Sequence, residues 1–267
     1  MSLELVRSRP RALTIHEAHE LLLRLADAGF TPEMAQEIIR SKDNHLAKAL
    51  VRTAQCAGYD ISPSMERARS IMGKNYFGPE EAIKHFGVVP TKAQEAALAL
   101  VPFSDVCLQE CRETHLLVAV FPKSIVEIRN SVGEAFVFLS RADEHRYEKQ
   151  PFARERGKPG WYLVRKEPLR NSLDKKWAQQ LMTLGRNEEV PSARILIYAV
   201  IGHFLAEKRR LLHDAYVVCA DTLEDSNEHI VVGSFDDDGL FVGHNWPERG
   251  SESVGLASMR KSDRSDT

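Results

Sequence analysis

Cys107, Cys111 and His115 follow one another at intervals of four along a segment that reads as a short helix, Ser104 to Thr114, so the three side chains can share one face. Two thiols and an imidazole are donor types of a tetrahedral zinc centre. No fourth ligand is evident, however, and cysteines on an amphipathic helix ahead of an apolar strand are ordinarily core residues. The spacing therefore predicts buried thiols, with no metal and no cofactor. The competing enzymatic reading is a hydrolase or transferase site built on this trio. His203 lies in the apolar run Ile195 to Leu205 and reads as a packed histidine rather than a general base. No nucleophile with an adjacent base and an orienting acid emerges from spacing, so no catalytic residue is assigned.

The C-terminal segment, Ala215 to Lys261, has a different character. Apolar strands (Tyr216 to Cys219, His229 to Phe235, Leu240 to Val242, Val254 to Met259) alternate with strongly polar loops. Small polar residues between closed strands can vary without touching a core, which is how binding surfaces are displayed. The candidate ligand-binding residues are Ser234, Asp236, Asp237, His244, Asn245, Trp246, Glu248, Arg249, Ser251 and Ser253. Among them Trp246 is the natural anchor, since an aromatic ring in a polar loop either plugs the domain end or engages a partner. Asp236-Asp237-Asp238-Gly239 reads as a hairpin turn, because it lacks the spaced oxygens and distal glutamate of a calcium loop. Gly233 and Gly239 form no phosphate loop, since no Lys-Ser/Thr follows.

The same segment resembles the end of C-type lectin-like domains of the formylglycine-generating-enzyme type, including the variable proteins of diversity-generating retroelements. The matching residues are Val231-Val232-Gly233-Ser234-Phe235, the loop through Ser253, and Val254-Gly255-Leu256. Earlier echoes are the strand Gly160-Trp161-Tyr162-Leu163 and the helix entry Val190-Pro191-Ser192. The resemblance spans roughly residues 155 to 261 and departs from the pattern at Phe235, where tryptophan is usual, and at Leu256-Ala257, where an arginine is familiar. It implies a lectin-like display scaffold of bacterial or phage origin whose stretch Ser234 to Ser253 is diversified. It does not carry over the enzyme activity, which uses a C-terminal cysteine pair where this chain has Cys219 alone.

Composition fits such a recognition role. The chain has 267 residues, 43% hydrophobic and 28% charged, ordinary for a soluble globular protein. No apolar run approaches the length of a membrane span, Met1 to Pro10 lacks a signal-type core, and four scattered cysteines make no disulfide framework, so a cytoplasmic protein without membrane contact is predicted. The net charge of −2 hides an asymmetry: from His213 to Val254 ten acidic residues face only Arg249. Nucleic-acid binding there is disfavoured, because it rests on Lys and Arg displacing counterions. A protein or small ligand with a basic surface fits better.

These loops must be positioned by the elements before them. Thr14-Ile15-His16-Glu17 is a capping box opening a helix with Leu21, Leu22, Leu25 and Ala28 on its apolar face and Gly29 at its end. Thr31-Pro32 opens a second helix with Met34, Ile38 and Ile39 inward; Asn44 to Ala54, Gly78-Pro79 and Thr91-x-x-Gln94 mark further helices. The turn between the first helices admits a helix-turn-helix, hence a DNA-associated regulator, but the second helix carries only Arg40 and Lys42 as cations. A scaffold or oligomerisation bundle is the stronger reading. From Pro102 the pattern is mixed: strands at 116–121, 135–139 and 161–164, helices at 172–184 and 192–212. The predicted class is α+β, with a helical N-terminal domain over 1–101, a lectin-like domain with a small antiparallel sheet and two helices over 102–261, and a polar tail over 262–267.

Overall fold

A computed structural model describes residues 14–27, 30–42, 63–133, 137–139, 147–224, 226, 228–245 and 250–262. The chain divides into two compact units, 1–54 and 55–267. In the first, α1 (Ile15–Asp27) follows Thr14, whose carbonyl accepts from Ala18 N–H at 2.9 Å. The next helix, α2 (Pro32–Arg40), is capped by the Thr31 hydroxyl, which accepts from Met34 N–H at 3.4 Å, with Glu33 favourably placed in the first turn. Met34 and Ile39, expected to face inward, are 52% and 73% exposed. The helix expected over Asn44 to Ala54 and the Gly29 stop lie outside the described residues.

The second unit runs through α3 (Pro63–Met72), β1 (Tyr76–Phe77), α4 (Pro79–Phe86), α5 (Lys92–Leu98), α6 (Asp105–Cys111), β2 (His115–Val120), α7 (Ile125–Val132) and β3 (Val137–Leu139). It continues with α8 (Pro151–Arg154), β4 (Gly160–Arg165), α9 (Trp177–Leu181), β5 (Glu188–Glu189) and α10 (Ala193–Glu207). It closes with β6 (Tyr216–Thr222), β7 (His229–Asp236), β8 (Gly239–Asn245), β9 (Val254–Leu256) and β10 (Met259–Arg260). Two five-stranded sheets result, ordered β1-β2-β4-β10-β5 and β3-β8-β7-β6-β9. Both are mixed, with β1–β2, β3–β8 and β6–β9 parallel, where a single antiparallel sheet was expected. The α+β class stands.

Residues 63–101 do not form a separate helical domain with the N-terminal helices. They contribute Met72, Tyr76, Phe77, Phe86 and Leu98 to the core, pair Tyr76 with Leu117 in parallel, and supply the Leu98 carbonyl that accepts from Trp161 Nε1 at 2.8 Å. Sequence reading missed this because two-residue β1 is too short to leave a periodic signal.

At the centre lies α10, packed on β1, β2 and β4 of one sheet and on β6 and β7 of the other. Its residues 193–203 are buried on every side, as expected of a helix that is apolar all round. Gly202 lets the Phe77 ring close on it: a Cβ there would lie 3.0 Å from that ring, which also stands edge-on to Phe86 and Tyr198. The helix stops at Glu207, short of the expected Leu212, because Lys208 adopts a left-handed conformation (φ 57°) while its N–H donates to Phe204 O at 2.8 Å.

The second sheet is covered on both faces. Ile230, Val232, Leu240, Val242 and Cys219 join the main core, while Val218, Val231 and Leu256 form a smaller cluster with Leu169, Trp177, Leu184 and Val190. The covering segment holds the short turn Arg170–Ser172 and α9 in place of one helix over 172–184. Asp174 (φ 52°) interrupts helical geometry, and the fully buried Ser172 hydroxyl is engaged elsewhere, donating to Leu169 O at 2.5 Å and accepting from Leu256 N–H at 2.7 Å. The expected strand Val254 to Met259 is likewise two strands in different sheets. Between them Ala257 N–H donates to Val218 O and Ser258 O accepts from Arg165 N–H, so this short stretch crosses from the second sheet to the first. Among the described residues no helix is long and apolar enough to cross a membrane.

Candidate recognition surface

The β7–β8 hairpin separates the residues grouped by sequence. Asp236 pairs with Gly239 at its turn, whereas Ile230 pairs with His244 and His229 with Asn245 at the opposite end. At about 3.3 Å per residue the two groups stand roughly 20 Å apart. Ser234, Asp236 and Asp237 therefore occupy one end of the sheet, and His244 and Asn245 the other. Trp246, Glu248 and Arg249 lie outside the described residues.

Ser251 and Ser253 join the turn end. Tyr216 N–H donates to Ser253 O and Ser234 N–H to Ala215 O, both at 3.0 Å, so the entries to β9, β6 and the last turn of β7 lie side by side. Ser234 sits at φ 46° within a register shift of β7, and its neighbour Phe235 N–H reaches Leu212 O at 3.2 Å. Gly233 is required here, since a Cβ would lie 2.1 Å from Ala215 O. At the tip Asp236 Oδ1 accepts from Asp238 N–H at 2.9 Å, the side-chain turn that aspartate favours.

Around these residues gathers an exposed rim of carboxylates. Asp237 is 95% and Asp214 92% exposed, and Asp238 and Glu252 are exposed beside them. Asp174 reaches the same end through its N–H, which donates to Ser251 O at 2.9 Å, and the Ser251 and Ser253 hydroxyls lie 3.2 Å apart. Asp237 pairs with Arg210 at 2.9 Å and Asp214 with His213 at 2.7 Å. Sequence reading missed Asp174 and Asp214 as members because they reach the rim through strand register, a long-range property.

His244 is partly exposed, and both of its ring nitrogens face polar partners. Its Nδ1 meets the fully buried Tyr147 hydroxyl, and its Nε2 faces the Glu228 carboxylate at 3.6 Å; Glu228 in turn accepts from Ser226 Oγ at 2.9 Å. The imidazole thus sits inside a polar chain under the sheet end, away from the turn.

Compared with protein-family models, curated proteins and solved structures, the chain matches none of them.

The Cys/His trio is divided between elements. Cys107 and Cys111 lie on α6, which ends before His115 opens β2, so the three do not share a helix face. Burial and the neighbouring Cys107 push the Cys111 thiol up to about 11, which leaves it protonated and a poor nucleophile or ligand. The buried His115 is pulled down to about 4 by desolvation and by Arg165 and Arg260. His203 is buried, as the sequence suggested, and is likewise lowered to about 4, by desolvation and then by Lys166. Among the described residues no three His, Cys, Asp or Glu side chains are placed to hold a metal ion.

Proposed function

We propose that this chain is a recognition protein whose acidic rim, built from the ends of β6 to β9 on a lectin-like scaffold, engages a partner with a basic surface. The observation that carries this reading is the convergence of Ser234, Asp236, Asp237, Ser251 and Ser253 with Asp174, Asp214, Asp238 and Glu252 at one sheet end. Much of the rim rests on paired backbone, so exposed members such as Asp238 and Glu252 can vary in identity while the scaffold holds. The scaffold assignment draws on Gly160-Trp161-Tyr162-Leu163 lying on β4, on Val190-Pro191-Ser192 leading into α10, and on a closing strand that begins at Val254-Gly255.

The test is titration of the isotope-labelled protein with an oligolysine peptide, read by amide shift changes. Changes concentrated at 174, 214, 234–238 and 251–253 are expected, and they should weaken in an Asp237→Asn/Asp238→Asn/Glu252→Gln variant. Shifts spread evenly over the surface, or unaltered in the variant, refute the rim as the binding face. Retroelement diversification of Ser234 to Ser253 is the second part of the proposal. It requires a near-identical template copy of this coding stretch, differing chiefly at adenines, beside a reverse transcriptase gene, and it fails without them.

A further inference from the structure

Beside the rim the charge reverses. Lys74 ahead of β1, Thr114 at the head of β2, Arg165 and Lys166 at the end of β4, and the turn Arg209 to Leu212 after α10 surround a cleft of about 290 Å³. Lys74, Arg165, Lys166, Arg209 and Arg210 line it against two carboxylates, Glu113 and Glu167. Glu113 is drawn outward to Arg112 at 2.9 Å, with its side chain 73% exposed. Arg210 is fixed by Asp237 and by the Phe204 and Phe235 rings, whose centroids lie 5.1 and 5.7 Å from its guanidinium carbon.

The remaining cations outnumber the carboxylates near them, Glu113 and Glu167. Among the described residues no carboxylate forms an ion pair with Lys74, Arg165, Lys166 or Arg209. The Lys166 ammonium donates to Asn75 Oδ1 at 3.3 Å, and Asn75 is itself buried and anchored to Arg112 O at 2.5 Å. Among the described residues the buried Nε groups of Arg165 and Arg210 have no hydrogen-bond partner, an arrangement that folded proteins rarely leave unfilled. Burial and then Arg209 lower the Lys166 pKa, and the positive field reaches His115 and His203 behind it. The carbonyl end of α10 attracts cations, but it is worth only about half a negative charge and does not balance this group.

We infer that this cleft binds a small phosphate-bearing anion. Two guanidinium forks and two ammonium groups offer more donors than the two oxygens of one carboxylate can use, whereas a phosphate ester or pyrophosphate supplies three or more acceptors and a second charge. The volume suits a compact ligand at the small end of the usual pocket range. A long polyanion is disfavoured, because Asp237 stands beside the cleft on Arg210. The left-handed residues Lys208 and Leu212, both at φ 57°, bracket the Arg209-Arg210 turn and hold it in place before any ligand arrives.

Calorimetric titration of the full chain with pyrophosphate and with inorganic phosphate at low ionic strength tests the site. Lys74→Ala/Arg209→Ala is the decisive variant: both side chains are exposed and, among the described residues, neither forms an ion pair, so the fold should lose little while repulsion with Lys166 is relieved. Its melting temperature should match or exceed the wild type, while phosphate binding falls by about tenfold per lost contact. Absence of binding by the wild type at millimolar pyrophosphate, equal binding by the variant, or preference for a duplex oligonucleotide over pyrophosphate at the same ionic strength each overturns the assignment.

Discussion

Cutting the chain at residue 55 and cutting it at residue 102 should give opposite results. The described core begins at Met65, so a 55–267 fragment keeps all of it. A 102–267 fragment loses buried Met72, Tyr76, Phe77, Phe86 and Leu98. Removing a buried aromatic costs about 3–5 kcal/mol and a buried Met or Leu about 2–5 kcal/mol, so the five together approach or exceed about 15 kcal/mol. That equals or surpasses the roughly 5–15 kcal/mol by which a typical domain is stable. Two further losses add to it: β2 loses the parallel strand β1 along its edge, and buried Trp161 Nε1 loses its acceptor, Leu98 O. Thermal unfolding followed by near-ultraviolet circular dichroism should therefore show one cooperative transition for 55–267 and none for 102–267. A cooperative transition in the shorter fragment within a few degrees of the longer one would mean that residues 63–101 are not structural members of the core.

Three substitutions probe local supports of the fold. Ser172→Ala leaves the buried Leu256 N–H without an acceptor and should cost about 1–3 kcal/mol in urea denaturation, with wild-type stability counting against the Ser172 clasp. Gly233→Ala sets a Cβ 2.1 Å from Ala215 O and 2.6 Å from Tyr216 Cα, both backbone, so a loss of about 3 kcal/mol is expected; an unchanged midpoint would contradict the close approach of β6 and β7. Glu127 caps α7 by accepting from Ser124 N–H, and its hydrogen bond with Arg156 holds its carboxyl down at about 2 against an ordinary 4.5. Its contribution is complete above about pH 4.5 and is lost as pH falls toward 2, since the unfolded chain takes up the proton first. Glu127→Gln should flatten stability across that window, and an acid profile identical to the wild type would exclude the pairing.

Local signals carried much of this fold. Thr31-Pro32, Gly78-Pro79, Thr91-x-x-Gln94 and Ser192 each open a helix where their chemistry says, because a cap is written within four residues. The strands around residues 116, 161, 216, 230 and 241 were visible as β-branched and aromatic runs. What escaped was long-range. Nothing local announces that Tyr76-Phe77 will pair with β2, that Val254 to Arg260 will serve two sheets, or that His244 will turn toward Tyr147. The cleft escaped for the same reason: Lys74, Lys166 and Arg209 are scattered along the chain and become a charge cluster only when α10 brings three strand ends together.

The crossing at Ala257-Ser258 also ties the two layers to each other. Because β9 closes the edge of one sheet and β10 sits between β4 and β5 in the other, both sheets depend on the same seven residues, 254 to 260. The apolar sides of α10 pack on both of these sheets, so its enclosure depends on the same stretch. A polypeptide interrupted anywhere before it would expose β4 and β6 as unpaired edges, the kind of surface that proteases and chaperones engage. A change that loosens this one stretch of backbone therefore reaches both layers at once.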